Sequence, residues 1–476
     1  MADIPPGREG AGPSPVAAAV AVALCTAAAY ATSFLGGYQF DDFRVIVGDS
    51  RVQSLSAWWG SMPGIRPLLK LSYALNAQCG LGLMGHHALN LFIHLAASVL
   101  ALLLLDRLGH RLKRPPPPWA SFWGALLFAL HPVQTEAVTY LSGRSSSLAG
   151  ALVLASALAF LVGRDRGEAW LCSLVSPALL AASLCVKEEA VVLPAALLLL
   201  EAVDRRGFSW RRGLGSIAPH LSVVAAAVLS YLAAPAYRGM LRESLALRGP
   251  GLNVLTQARA TAWLTGQLVP LRGLFADPNL APVASWDWGA GLALLAVVVA
   301  VLSALFLLPR RPLLALAVLW YLLWLAPQGW WLPRPEPASE RQLYLSILGP
   351  AWLAGALLAR FPGRGLLRPA LSAAMATLLA GATARRSLVY RDEVTFWADA
   401  AEKAPQSALA RGNLGYALAL SCRSEEARGA FLAATVLDPK NPRPKWNLYL
   451  LEEGELLSEE AARRCLDRGR SQPSSR

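Results

Sequence analysis

Residues 288–308 read WGAGLALLAVVVAVLSALFLL, an uncharged stretch that is long enough to cross a membrane as a single helix. An α-helix rises ~1.5 Å per residue, so about twenty apolar residues cover the ~30 Å hydrocarbon layer of a bilayer. Hydrophobic runs of this kind recur along most of the chain, which is 55% hydrophobic and 16% charged. This composition excludes a soluble multidomain protein and predicts an all-α, polytopic membrane protein.

The recurring runs predict about eleven transmembrane helices in a domain over residues 1–390. The segments are 16–35, 86–105, 119–130, 145–162, 169–185, 190–203, 216–235, 288–308, 312–331, 343–359 and 369–388. The first segment has neither a clear basic stretch before it nor a small-residue cleavage site, so we interpret it as a retained span rather than a signal peptide. Long loops follow at 36–85 and 236–287, and the second contains an amphipathic candidate helix over 255–268.

Arginine residues indicate the orientation of these helices. They cluster at 107–114, 164–166, 205–212, 310–311 and 360–368, in loops that face one side, which the positive-inside rule makes cytoplasmic. The N-terminus is then cytoplasmic, and an odd number of spans puts the C-terminus and both long loops on the opposite, trans side. Arg385, Arg386 and Arg391 run against this bias. No basic run is interleaved with aromatic residues, so the net charge of +13 indicates topology and we expect no nucleic-acid partner.

Composition also bears on the compartment. The chain contains no Asn-x-Ser/Thr sequon and is rich in Ala, Arg and Leu, which favours a bacterial inner-membrane protein with a periplasmic site. An endoplasmic-reticulum membrane protein with a lumenal site is the alternative. The six cysteines include no CxxC pair and no His/Cys cluster, so neither a zinc site nor a disulfide framework is indicated. Whether Cys422 and Cys465 pair is left open.

After the last span, residues 391–469 change to a soluble helical pattern. Pro405 and Pro439 lie 34 residues apart, which is the period of tetratricopeptide repeats. Gly415 and Phe431 fall between them on the small and large positions that let two antiparallel helices pack. About one and a half repeats are present where about three are usually needed for stability, so we expect this module to lean on the membrane domain or on a partner. Residues 470–476 are expected to be a disordered tail.

Two adjacent carboxylates, Asp41 and Asp42, open the first trans loop directly after a span. A carboxylate that is partly desolvated at a membrane surface has a raised pKa and can deprotonate a hydroxyl group or hold a metal ion. The alternative is that both residues simply face water, and their position alone does not decide between the two.

The second span carries a stripe of polar side chains, because His87, Asn90 and His94 recur at helical spacing. Polar groups on one face of a transmembrane helix normally point into the bundle and pair there. For His94 a packing role is favoured. His87 lies closer to the trans surface and is the better functional candidate.

The third span is expected to end at His131, because the proline that follows cannot continue the helical hydrogen-bond ladder. A short helix after this corner would aim Glu136 inward. Glu136 then either belongs to a site or forms a packing salt bridge with Arg144.

Two more segments place charged residues at the trans surface. Lys187 and Glu188 occupy a very short loop, where a cation beside a carboxylate binds phosphate or only neutralises its neighbour. Arg341 and Tyr344 precede the tenth span, where an arginine is suited to a lipid phosphate or to ordinary interfacial anchoring. The chain has no Walker loop, nucleophile elbow, HExxH or Rossmann fingerprint, which removes the common soluble ATPase, hydrolase and dehydrogenase classes.

These segments, in this order, resemble the transmembrane and tetratricopeptide-repeat O-mannosyltransferase family. The residues that carry the resemblance are Phe40-Asp41-Asp42, Arg66-Pro67-Leu68, the stripe of His87, Asn90 and His94, residues 128–138 with Gly143-Arg144, Lys187-Glu188, Glu340-Arg341 with Leu343-Tyr344-Leu345, and the C-terminal repeat. The segment 131–144 is the most specific of them.

The family is similar to glycosyltransferases of the polytopic C-type fold, which use a polyprenyl-phosphate sugar on the trans side. The resemblance implies mannose as the sugar and a protein or envelope-glycan hydroxyl as acceptor, with the repeat domain presenting an acceptor protein. It implies a catalytic group of Asp42, Asp41 and Glu136, with Asp42 or Asp41 as general base, a donor-phosphate group of Arg341, Lys187, Arg144 and Tyr344, and supporting polar residues Arg66, His87, Asn90, His94, His131 and Glu188. It implies no cofactor and no metal beyond the lipid-linked sugar, although a divalent ion between the catalytic carboxylates is left open.

Two other functions compete with this one. An envelope oligosaccharide ligase or polymerase also joins membrane spans to such repeats, but its large trans loop would lie late in the chain rather than at 236–287. A membrane scaffold whose repeat recruits partners would need none of the carboxylates for activity.

Overall fold

A computed structural model describes residues 12–62, 64–269, 274, 280–360 and 367–456 of the chain. The helices of the first half are α1 Pro15–Ala29, α2 Leu55–Gly60, α3 Pro67–Gln78, α4 Gly82–Arg111, α5 Ala120–Leu130, α6 Thr135–Val138, α7 Arg144–Arg166, α8 Ser176–Leu184, α9 Leu193–Ala202 and α10 Trp210–Ala233. Those of the second half are α11 Pro235–Leu247, α12 Pro250–Gly266, α13 Trp288–Leu307, α14 Pro312–Leu325, α15 Leu343–Ser346, α16 Leu348–Ala359, α17 Leu367–Leu388, α18 Glu393–Lys403, α19 Ala408–Leu420, α20 Ser424–Leu437 and α21 Pro442–Glu452. Within these described ranges there is no β-strand, which confirms the all-α prediction.

Every segment predicted to span the membrane is helical. In the described part of the chain, five helices have the length and apolar composition to cross a bilayer: Pro15–Leu35, Gly82–Arg111, Leu141–Arg166, Trp210–Ala233 and Trp288–Leu307. A sixth candidate is the pair Glu340–Ser346 and Leu348–Ala359, which is bent by 61°. Shorter apolar helices at Ala120–Leu130, Leu171–Leu184 and Pro312–Gln328 fall below the length of a full span. The chain is thus an all-α membrane protein, and the number of eleven spans stays a prediction.

Small residues set the packing distance in the centre of the bundle, where α5 and α16 cross. A Cβ atom added to Gly355 would lie 2.4 Å from the backbone nitrogen of Gly124 on the facing helix. One added to Gly124 would lie 2.9 Å from the Cα atom of Trp352. Such close approach of two backbones supplies the van der Waals contact that holds membrane helices together in the absence of a hydrophobic driving force.

A buried arginine joins three helices at the end of the bundle that the sequence predicts to be cytoplasmic. Arg111, whose side chain is 5% exposed, forms ion pairs with Asp204, with Glu201 at 3.3 Å and with Asp165 at 3.5 Å. Arg164 contacts the second oxygen of Glu201 at 3.0 Å. Because a buried charge is costly unless it is paired, this network fixes the ends of α4, α7 and α9 relative to one another.

The last four helices of the described part, α18, α19, α20 and α21, pack each against the next in chain order. The packing requires a residue without a side chain at position 415, since a Cβ atom added to Gly415 would lie 2.7 Å from the Phe431 ring. The edge of Trp397 in α18 meets the Phe40 ring in the first loop, with centroids 5.7 Å apart. The backbone N–H of Gly37 donates to the carbonyl of Tyr390 at 3.1 Å. The module therefore leans on the membrane domain, and its identity as a tetratricopeptide repeat stays a prediction.

Arg386, which runs against the positive-inside bias, is accounted for by this docking. Its side chain is 5% exposed and lies 2.8 Å from a carboxylate oxygen of Asp399 in α18 and 3.6 Å from one of Glu340. An arginine that is paired inside the protein contributes little to the sorting of loops by charge.

One expectation is wrong, and the structure adds one point that the spacing of the cysteines did not indicate. The central-loop helix α12 is not a surface amphipathic helix: Leu255, Ala258 and Leu264 are buried because α12 packs against α13 and the rest of the bundle. The exposed amphipathic helix of that loop is α11, in which no residue is buried. In addition, Cys422 is disulfide-bonded, although nothing in the spacing of the cysteines indicated a disulfide.

Local sequence spacing reports only on pairings formed by neighbouring cysteines, whereas a disulfide between distant residues depends on the fold. Cys465, the part of the repeat after residue 456 and the tail 470–476 lie outside the described residues.

Candidate functional site

The first trans loop holds two carboxylates in different environments. Asp42 is fully buried, and its two oxygens accept the backbone N–H groups of Gln39 at 3.0 Å and Ser142 at 2.8 Å. Burial raises the pKa of Asp42 from 3.8 to about 6, although both hydrogen bonds act to lower it. Asp42 thereby ties the loop to the corner that precedes α7.

Asp41 is the accessible member of the pair. Its side chain is 29% exposed and lies 3.4 Å from the guanidinium group of the exposed Arg44. Its backbone N–H donates to the hydroxyl oxygen of Tyr140 at 3.0 Å, which ties the main chain of this loop to Tyr140. The residue before it, Phe40, has a φ angle of +37°, an unfavourable backbone conformation for a bulky side chain that the surrounding contacts must hold in place.

Glu136 and Arg341 meet across the site from distant parts of the sequence. Proline stops α5 at Leu130, as predicted, and the short helix α6 then carries Glu136 inward. One carboxylate oxygen accepts the hydroxyl of Ser339 at 3.0 Å and lies 3.5 Å from Nε of Arg341, and the other accepts the backbone N–H of Arg341 at 2.9 Å. The guanidinium carbon of Arg341 lies 6.0 Å from the centre of the Tyr140 ring. Burial alone would lower the pKa of Arg341, and the negative charges of Glu136 and Asp41 raise it instead.

Lys187 lies in the short loop between α8 and α9. Its ammonium group lies 2.7 Å from Glu189 and 2.8 Å from the hydroxyl of Ser146. Burial lowers the pKa of Lys187 to about 8, and the positive charges of Arg334 and Arg341 contribute to that lowering. Lys187 and Arg341, predicted together as phosphate ligands, are therefore close enough to interact electrostatically.

The neighbouring residue Glu188 forms a forked salt bridge with Arg66. Nη2 of Arg66 donates to one carboxylate oxygen at 2.7 Å, and Nε lies 3.1 Å from the other. Burial alone would raise the pKa of Glu188, and the Arg66 guanidinium holds it below its usual range. This pair ties the first trans loop to the loop after α8, and the supporting role of both residues stays a prediction.

Arg334 completes the group of cations, and sequence reasoning missed it. Its Nη1 donates to the carbonyl of Gln328 at 3.5 Å, and the side-chain amide of Gln342 donates to the same oxygen at 3.2 Å. Among the described residues no carboxylate lies within ion-pair distance of Arg334. Burial lowers its pKa, and the charges of Arg341 and Arg66 lower it further. The available signal was its position in a proline-rich trans loop, seven residues before Arg341.

Arg144, expected at the donor phosphate, lies inside a fully paired network instead. Nε donates to the Asn90 side chain at 2.6 Å, Nη1 to the Ser72 carbonyl at 3.1 Å and Nη2 to the His86 carbonyl at 3.2 Å. Its guanidinium carbon also lies 4.6 Å above the Tyr73 ring. The alternative salt bridge between Arg144 and Glu136 is wrong, because Glu136 pairs with residues that lie about two hundred positions further along the chain.

The remaining polar residues of the prediction point into the bundle. His87 lies 3.1 Å from the carbonyl of Gly36, and His131 lies 3.3 Å from that of Leu268. Nε2 of His94 lies 3.0 Å from the Ala129 carbonyl, so Nε2 donates and Nδ1 accepts the hydroxyl of Tyr344 at 2.9 Å. The Tyr344 hydroxyl is thus engaged inside the protein. These contacts support the packing interpretation of His94.

The described part of the chain contains no group of three or more His, Cys, Asp or Glu side chains arranged to hold a metal ion. The three candidate catalytic carboxylates accordingly do not converge as a set of metal ligands. Each has other partners: backbone N–H groups for Asp42, Arg44 for Asp41, and Ser339 with Arg341 for Glu136.

The fold and the site together define a class: an all-α membrane protein in which an accessible carboxylate and several cations meet in loops at one end of the bundle. Comparison with curated proteins tests the resemblance that the sequence indicated. The chain is 29% identical over 180 residues to human protein O-mannosyl-transferase TMTC1, covering 34% of this chain and 20% of that protein. It is 29% identical over 223 residues to mouse protein O-mannosyl-transferase TMTC3, covering 40% of this chain and 23% of that protein.

A third relative is human protein O-mannosyl-transferase TMTC4, with 31% identity over 157 residues, or 28% of this chain and 21% of that protein. These relatives confirm the resemblance to the transmembrane and tetratricopeptide-repeat O-mannosyltransferases. The matched segments span about a fifth of each relative's length. No family model matches the chain.

Proposed function

We propose that the chain is a membrane glycosyltransferase that moves mannose from a polyprenyl-phosphate donor to a hydroxyl group of an acceptor protein. The observation that carries the proposal is that Asp41 and Arg341 both lie beside Tyr140: the backbone N–H of the accessible Asp41 donates to the Tyr140 hydroxyl at 3.0 Å, and the Arg341 guanidinium carbon lies 6.0 Å from the centre of the same ring. A base on one side of a reacting carbon and cations on the other are what a single-displacement sugar transfer requires. The names of the relatives supply the sugar and the protein acceptor.

In the proposed reaction the acceptor oxygen attacks the anomeric carbon of the donor sugar. The new C–O bond forms as the bond from the anomeric carbon to the phosphate oxygen breaks, and the acceptor proton passes to Asp41. Asp41 is favoured over Asp42 as the base because its side chain is accessible, whereas both oxygens of Asp42 already accept backbone N–H groups. Asp42 holds the loop, and the configuration at the anomeric carbon inverts.

The leaving phosphate gains negative charge as the bond breaks, and cations stabilise that charge. Arg341, Lys187 and Arg334 are assigned to this task. Arg334 is the most informative of the three, because no carboxylate among the residues that the structure describes lies within ion-pair distance of its partly buried guanidinium group, and such a charge is costly until an anion binds beside it. Glu136 keeps Arg341 in place through its backbone N–H and its guanidinium group. No cofactor and no metal ion are assigned a step.

The proposed location of the site is the trans side of the membrane. The positive-inside bias supports that orientation. Either the bacterial periplasm or the lumen of the endoplasmic reticulum lies on that side, and composition favours the periplasm. The repeat module, docked beside the site, is placed to present an acceptor protein.

The test is transfer of radiolabelled sugar in membranes that contain the protein, with polyprenyl-phosphate mannose, polyprenyl-phosphate glucose or a nucleotide-linked mannose as donor. Wild type is compared with Asp41→Asn and Arg341→Gln at matched expression. We expect transfer from the polyprenyl donor, lost in Asp41→Asn, and a higher donor KM in Arg341→Gln. Wild-type membranes that transfer from none of these donors would refute the proposal and favour a scaffold. Transfer of preassembled oligosaccharide would favour an envelope ligase.

A further inference from the structure

The first helix of the C-terminal module, α18, contacts both halves of the candidate site through two separate chains of contacts. One chain runs through charged side chains to the loop that carries Arg341. The other runs through aromatic rings to the loop that carries Asp41.

The charged chain begins at Asp399 in α18. Its Oδ2 accepts Nη1 of Arg386 at 2.8 Å, and Nη2 of Arg386 lies 3.6 Å from Oε2 of Glu340, the residue before Arg341. The side chain of Glu340 is fully buried and that of Arg386 is 5% exposed. Water therefore solvates neither charge, and each depends on its ion-pair partner. Lys403 pairs with the other oxygen of Asp399 at 2.5 Å.

The aromatic chain begins at Trp397, two residues before Asp399 on the same helix. Its ring meets the Phe40 ring edge to face at 5.7 Å, and Phe40 is the residue with positive φ that precedes Asp41. Close by, the carbonyl of Tyr390 accepts the backbone N–H of Gly37 and the side-chain amide of Gln39, each at 3.1 Å. The Trp397 ring and the Tyr390 carbonyl thus contact the segment that contains the unfavourable conformation at Phe40.

We propose that α18 is part of the catalytic architecture, with Asp399 and Trp397 as positioning residues: Asp399 acts through Arg386 and Glu340 on Arg341, and Trp397 acts through Phe40 on Asp41. This role is distinct from presentation of an acceptor by the repeat. The kinetic test of this role rests on the proposed function, whereas the test by hydrogen exchange does not. A displacement of ~1 Å at a reacting group costs about a hundredfold in rate, so loss of either chain of contacts is visible in transfer.

The kinetic test uses the full-length protein, polyprenyl-phosphate mannose and a blocked serine tripeptide, an acceptor too small to need presentation. Asp399→Asn is expected to raise the donor KM roughly ten- to a hundredfold, because Arg341 faces the donor phosphate. Trp397→Leu is expected to lower kcat by a similar factor, because Asp41 shifts. Asp399→Glu, which keeps the charge, should restore most of the donor affinity.

Glu426→Gln is the matched control, since Glu426 forms an exposed ion pair with Arg423 in the same module. The donor KM and the kcat of Glu426→Gln should equal those of wild type. If Asp399→Asn and Trp397→Leu also match wild type with the tripeptide and lose transfer only to a whole protein acceptor, the module presents acceptors and the positioning role is wrong.

Hydrogen exchange supplies the readout that does not need activity. Asp399→Asn should accelerate exchange in residues 336–344, and Trp397→Leu should accelerate exchange in residues 36–44, with Glu426→Gln unchanged. These shifts are expected even if the wild type transfers no sugar, in which case the proposed function fails and the structural coupling stands. Unchanged exchange in both segments would overturn the coupling whatever the activity.

Discussion

The buried carboxylate of Asp42 gives transfer a specific pH dependence. Its pKa of about 6 means that roughly one Asp42 in eleven is ionised at pH 5 and roughly ten in eleven at pH 7. The ionised form alone accepts N–H groups on both oxygens without burying an unpaired O–H, so it is the form that holds the Asp41 loop. Transfer should therefore rise about tenfold between pH 5 and pH 7. With the ordinary pKa of 3.8, the carboxylate would already be ionised at pH 5 and this rise would be absent.

The same raised pKa makes a prediction about stability. Folding raises the pKa of Asp42, so the associated stability is fully present below about pH 4 and is lost as the pH rises through 6. At pH 7 the buried charge costs up to about 3 kcal/mol, because a tenfold change in an ionisation constant corresponds to ~1.4 kcal/mol. Asp42→Asn removes this cost but loses one N–H acceptor, worth about 1–3 kcal/mol. The variant should thus be no less stable than wild type at pH 7 while transferring poorly at every pH.

The assay is initial-rate transfer from polyprenyl-phosphate mannose between pH 5 and pH 8 at constant ionic strength, with thermal unfolding of the same samples. The transfer rate of wild type should rise with pH around pH 6, and that of Asp42→Asn should be low and independent of pH. A wild-type profile that is flat from pH 5 to pH 7 would refute the reasoning, as would an Asp42→Asn variant that keeps the wild-type limb.

Three other predictions concern the cations and the core. Arg334→Gln should raise the donor KM about ten- to a hundredfold, because a hydrogen bond to a charged group contributes ~1.5–3 kcal/mol. Arg242→Gln, on the exposed face of α11, should leave the donor KM unchanged. Equal donor KM values for the two variants would contradict the assignment of Arg334. Because Lys187 has a pKa of about 8, its charged fraction falls about tenfold from pH 7 to pH 9, so the donor KM should rise over that range in wild type and stay level in Lys187→Arg. Gly355→Ala places a Cβ atom 2.4 Å from a backbone nitrogen of the facing helix and should cost about 1–3 kcal/mol in detergent unfolding, while Gly381→Ala, with open space around it, should be neutral or stabilising.

Local rules predicted much of the fold. The composition and the recurring apolar runs indicated a helical membrane protein, and the proline after His131 correctly ended α5. The spacing of Gly415 and Phe431 correctly identified a small and a large position that pack against each other. Each of these features depends on residues that are neighbours in sequence or on one helix. The number of spans is harder to predict, because helices as short as α5 or α9 do not reach across a bilayer by length alone.

Contacts between distant segments account for what the sequence did not reveal. The sequence left open whether Glu136 belongs to a site or pairs with Arg144, eight residues away, and the fold brings it to Arg341. Arg334 was missed because nothing in its own neighbourhood shows that two other cations approach it. Arg386 runs against the positive-inside rule, and its ion pair with Asp399 of α18, which lies outside the predicted spans, explains why. Pairings of this kind depend on helix packing, which no local pattern encodes.

The most direct test of the account uses purified protein in liposomes with polyprenyl-phosphate mannose and a protein acceptor, comparing wild type with Asp41→Asn. Sugar transferred and polyprenyl phosphate released should match one to one in wild type. The variant should be slower by about a hundred- to ten-thousandfold, the usual contribution of a general base. Equal rates for the two proteins, or no transfer by wild type from this donor, would contradict the account.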